Sequence, residues 1–109
     1  DYVFLDDVVS AMMAAATAPG LDNLVINIGS GVETSVRELV RLVLEITGGK
    51  PEVIYNPRTD PGVSRMCPDL TLAREKLGYQ PSISLADGLR LTLERDARFR
   101  REATRPIPK

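Results

Sequence analysis

The stretch Leu24–Gly49, LVINIGSGVETSVRELVRLVLEITGG, constrains this chain more than any other. Val25, Ile26 and Ile28 form a short β-branched run, the pattern of a strand covered on both faces. Gly29 and Gly31 then allow a sharp turn or a close backbone approach that a Cβ would block. Ser35 and Glu38 have the S-x-x-E spacing of a capping box, which predicts a helix from about Val36. Val36, Leu39, Val40, Val43 and Ile46 recur at three- and four-residue steps and make one apolar stripe. Gly48 and Gly49 supply the left-handed residue that ends the helix.

Strand, glycine turn and helix together raise a nucleotide-binding reading. The dinucleotide fingerprint G-x-G-x-x-G needs a third glycine, and Thr34 stands in its place. An acid about twenty residues later should grip a ribose at the end of the next strand. That strand candidate, Val53–Tyr55, ends instead in Asn56, Pro57 and Arg58. The turn reads better as a link feeding a packed helix.

A chain of 109 residues is one domain with a modest core. Its net charge of −1 gives no electrostatic case for nucleic acid or an anionic membrane. No apolar run approaches membrane-span length, and nothing resembles a signal peptide. The single Cys67 cannot close an internal disulfide, which fits a cytoplasmic protein. With no histidine, a Ser-His-Asp or Cys-His site and a histidine-ligated metal are excluded, so the metal expectation is none.

Asp1–Leu5 has strand character, and Asp6 or Asp7 can cap the helix after it. That helix spans Val8–Ala18, with Val8, Met12, Ala15 and Ala16 on one face, and stops at Pro19-Gly20. Strand, helix and Leu24–Ile28 then form a right-handed βαβ unit with a parallel strand pair. After the central helix, Val36–Thr47, come a short strand at Val53–Tyr55 and the loop NPRTDPGVSRMCP. Asp69 can cap a helix Leu70–Leu77 ending at Gly78, and Ser84 with Asp87 makes a second capping box for Leu85–Phe99. The expected fold is a small α/β lobe with three strands and four helices. The basic, proline-containing residues 100–109 should fray.

Arg58 and Arg65, in one loop, could clamp a diphosphate through charge-assisted hydrogen bonds, or could be two solvated surface arginines. Asp60 could accept from a ribose or simply serve the Asp-Pro-Gly turn. Tyr2, Tyr55 and Tyr79 could stack on a ring, though each suits a core or edge position. Asp6 and Asp7 are adjacent and diverge on a helix, which argues for capping. Cys67 reads as an inert thiol, and Arg95, Arg98, Arg100 and Arg101 as a solvated face. No complete catalytic constellation is present.

The ordered blocks DYVFLDDVVSAM, VINIGSGVETSVRELV and NPR…SRMCPDLTLAREKLGYQPSISLADGL carry a resemblance over Asp1 to about Leu93. They resemble the C-terminal, substrate-binding part of NAD-dependent epimerase/dehydratases of the extended short-chain dehydrogenase/reductase superfamily, in the UDP-glucose 4-epimerase-like group. The resemblance implies a nucleotide-sugar substrate and NAD in the full-length protein. In that family NAD lies on an N-terminal Rossmann domain with a G-x-x-G-x-x-G turn, and a Tyr-x-x-x-Lys pair works with a Ser or Thr. This chain has no such turn, and Tyr2, Tyr55 and Tyr79 lead to Asp6, Thr59 and Ile83 four residues on. The resemblance therefore implies a nucleotide-sugar-binding lobe with no catalytic or cofactor-binding residue of its own, inactive by itself.

Arg58 falls in the family's R-x-G-D loop, whose arginine grips the diphosphate and whose aspartate takes the ribose. Here the run is Arg58-Thr59-Asp60-Pro61-Gly62, so Asp60 departs from the expected spacing, and Arg65 is a second phosphate candidate. A lobe parted from its Rossmann domain should expose apolar surface and self-associate. The alternative function is a free-standing, non-catalytic module that binds a nucleotide sugar or a protein. An arginine usually precedes DYVFLDD in the family and the chain ends at Lys109, so trypsin-like cleavage is the expected origin of such a piece, with a designed cut at a domain boundary as the alternative.

Overall fold

Two of the helices begin where the serines predict. The computed structural model describes residues 1–57 and 62–99. Within them lie α1 (Leu5–Thr17), α2 (Val36–Thr47), α3 (Thr71–Leu77) and α4 (Leu85–Arg95), followed by a 3-10 turn over Ala97–Phe99. Ser35 accepts from the Glu38 N–H at 3.1 Å and Ser84 from the Asp87 N–H at 3.1 Å, each satisfying one open donor of a first turn. Gly48 and Gly78 close α2 and α3 in the left-handed conformation. Asp69 starts α3 from just outside it, accepting from both the N–H and the hydroxyl of Thr71.

The expected strands are not formed. Tyr2–Leu5, Leu24–Ile28 and Val53–Tyr55 belong to no ladder among the described residues, so the parallel pair and the α/β assignment give way to four helices joined by irregular segments. Leu5 instead opens α1, three residues before the expected start. β-branched composition suits a strand only when another strand lies within hydrogen-bonding reach. Here Val25, Ile54 and Tyr55 stand 85%, 84% and 77% exposed.

The core sits between α1 and α3. Ala11 of α1 and Ala73 of α3 are buried with Leu70 and Tyr79, and Ile26, Ile28 and Leu77 pack against them. Alanines let the two helices approach closely. The Tyr79 hydroxyl reaches across to donate to the Gly29 carbonyl at 2.8 Å. Burial, helped by the charge of Asp7, pushes its acidity further from neutrality, so it stays a donor. Tyr79→Phe should leave that buried carbonyl unpaired and lower stability by about 1–2 kcal/mol, read as a lower urea midpoint.

The start of α1 is tied to α4. Asp7 is not a cap but a buried carboxylate within the first turn, accepting from the N–H and hydroxyl of Ser82 and the N–H of Ile83. Phe4 packs against Gly88, where an added Cβ would meet the ring at 3.0 Å. Arg95, expected in a solvated face, covers the Phe4 ring at 5.6 Å and bonds Asp6 at 2.8 Å. The face of α1 that turns inward carries Asp7 and Ala11, while Met12 and Met13 are 68% and 69% exposed. Among the described residues no helix is long and apolar enough to cross a membrane. The tail at 100–109 lies outside the described residues.

Candidate functional site

The glycine turn is built around one side chain. The Asp1 carboxylate accepts from the Ser30 N–H at 2.8 Å and the Gly31 N–H at 2.7 Å. The main-chain nitrogen of Asp1 donates to the Met66 carbonyl at 2.8 Å. Asp1 thus pins the turn to the segment that carries Arg65. Gly31 permits the geometry with φ of +72°, a region closed to most side chains. The N–H groups of Ser30 and Gly31 in this turn are thus bonded to a carboxylate of the chain itself.

Beside this hub opens a cleft of about 540 Å³. Its walls are Asp1 and Tyr2, the run Glu33–Val36 with Glu38 at the start of α2, and the segment Val63–Met66. Ser35 caps α2 at this wall, so the positive end of the helix borders the cleft. Arg65 lines the opposite wall and forks onto Glu33. Its Nε donates to Oε1 at 3.1 Å and its Nη2 donates to Oε2. The Arg65 hydrogen bond, and then its charge, hold the Glu33 carboxyl below the usual range. An exposed guanidinium beside a helix N-terminus is a setting for a phosphate or diphosphate.

Of the residues expected in a site, Arg65 and Tyr2 line this cleft. Arg58 and Asp60 lie outside the described residues. Tyr79 belongs to the core, and Tyr55 lies open to solvent. Cys67 is exposed, its sulfur 3.9 Å from an Asp1 oxygen. Two participants went unread in the sequence: Asp1, whose partners are 29 and 30 residues away, and Glu33, whose partner is 32 away. No local spacing signals such contacts.

No family model matches the chain. It is 42% identical over 94 residues to a UDP-glucose 4-epimerase of Mycolicibacterium smegmatis, covering 86% of this chain and 30% of that protein. It is 31% identical over 112 residues to the GDP-L-fucose synthase of Escherichia coli K12, covering 92% of this chain and 35% of that protein. Among solved structures it resembles a UDP-glucose 4-epimerase of Thermotoga maritima determined with UDP-glucose, at a TM-score of 0.79 and 46% identity. That match covers 86% of this chain and 30% of the other. The chain therefore spans about a third of the length of these relatives.

Proposed function

Because the chain belongs to the family of the UDP-glucose 4-epimerases and spans 30% of their length, we propose that it forms the nucleotide-sugar-binding lobe of an NAD-dependent epimerase. The support is a coincidence on one chain: 46% identity to an epimerase solved with UDP-glucose, and a cleft lined by Arg65 at a helix N-terminus. In this reading Arg65 and Arg58 hold the substrate's diphosphate and Asp60 takes the ribose.

NAD binding and the Tyr-x-x-x-Lys chemistry fall to the remainder of the protein. The glycine turn of this chain already spends its N–H groups on Asp1. What the lobe contributes is binding and orientation: an arginine fork for the diphosphate and a walled cleft that restricts its approach. One unpaired cysteine accords with work in the reducing cytoplasm.

The test is a titration of the chain with UDP, followed by amide chemical shifts. Arg65→Gln should weaken binding about fivefold, as expected for loss of a charge-assisted fork. Unchanged affinity would remove Arg65 from the site. The chain alone should not epimerise UDP-glucose, and turnover by a preparation of verified mass would overturn the division of labour proposed here.

A further inference from the structure

The bidentate pair between Arg65 and Glu33 stands within the cleft itself, both side chains lining it. Resting on the diphosphate role proposed for Arg65, we infer that Glu33 is a built-in competitor for that arginine, a carboxylate that fills its fork until a diphosphate displaces it. Carboxylate and phosphate offer a guanidinium the same two-oxygen edge, so one fork edge cannot serve both at once. Glu33 takes the edge formed by Nε and Nη2.

Displacement is feasible because the pair is exposed, with 76% of the arginine side chain and 53% of the glutamate open to solvent. Exposed pairs are weak and readily exchanged, whereas a diphosphate brings more negative charge than the carboxylate it replaces. Binding strength then reflects the difference between two partners. A site built this way favours ligands with a full diphosphate over those with a single weak anion. Glu38 provides an internal comparison: it lines the same cleft but makes no ion pair with Arg65.

The experiment titrates the chain with UDP, and separately with inorganic pyrophosphate, following amide shifts. The proteins are the wild type, Glu33→Gln, Glu38→Gln, Arg65→Gln and the Glu33→Gln/Arg65→Gln double variant. Glu33→Gln should tighten both ligands about threefold, the size expected on releasing an exposed pair. Glu38→Gln should tighten them clearly less, and the gain from Glu33→Gln should vanish in the double variant. Equal gains in Glu33→Gln and Glu38→Gln would reveal a bulk charge effect and overturn the competitor role. Weaker binding by Glu33→Gln would overturn it too, since Glu33 would then be positioning Arg65. If Arg65→Gln weakens binding but Glu33→Gln changes nothing, the competitor role alone fails. If Arg65→Gln changes nothing, or no variant binds either ligand, the diphosphate site fails and this inference with it.

Discussion

Replacing Asp7 with alanine should lower the thermal midpoint of this chain by about 15 °C, from a loss of about 3 kcal/mol. Asp7 is 3% exposed, the one buried charged residue among those described. It bonds the Ser82 hydroxyl at 2.7 Å, the Ser82 N–H at 3.1 Å and the Ile83 N–H at 3.1 Å. Alanine would strand two backbone donors and a hydroxyl, and would free the turn that delivers Ser84 to the start of α4. Burial by itself would raise the pKa of this carboxyl. The Ser82 hydroxyl and the N–H groups of Ile83 and Ser82 together outweigh it and hold the group below the ordinary aspartate range. The folded state therefore binds this proton less readily than the unfolded chain. The stabilisation is fully present above the ordinary range, near pH 4, and is lost as pH falls below it through the lower folded value. Urea midpoints of wild type and Asp7→Asn should accordingly converge between pH 5 and pH 2. A constant gap would mean that Asp7 acts by shape rather than charge.

Helix ends were legible because capping is local. Ser35 with Glu38 and Ser84 with Asp87 carry their signal within one turn, and both N-termini fall where that spacing puts them. Gly48 and Gly78 were legible for the same reason. Strands were not, because a β-branched run reports only a willingness to pair, and Leu24–Ile28 has no ladder among the described residues. The apolar stripe on α2 predicts a packed face, yet α2 carries no buried residue, and Val36 is 68% exposed. The core instead gathers on Ala11 and Ala73, two small residues that any helix pattern contains. In the candidate site, Arg65 could be picked out by residue type and loop position. Its partner Glu33 could not, since the contact joins segments separated by all of α2. Family resemblance supplied what spacing lacked, and the 42% identity to an epimerase agrees with it.

Gly29→Ala should destabilise the chain by about 2 kcal/mol, although nothing in the backbone conformation of Gly29 demands glycine. Its φ is not positive, unlike that of Gly31 at +72°. The obstacle is space: an added Cβ would lie 2.4 Å from Cγ of Pro68 and 3.2 Å from both carboxylate oxygens of Asp1. A proline ring is fused to the backbone and cannot swing aside, and Asp1 is held by the Ser30 and Gly31 N–H groups. The chain must therefore part the turn from residues 66–68, which loosens the wall carrying Arg65. Loss of stability and weaker UDP binding should appear together. Gly49→Ala is the comparison, because its Cβ would meet Pro51 and Thr47 at ordinary distances of 3.4 and 3.6 Å. That variant should change the urea midpoint by less than about 0.5 kcal/mol equivalent. If Gly29→Ala unfolds at the wild-type midpoint, Pro68 is not pressed against the turn, and Asp1 alone joins the turn to the arginine wall.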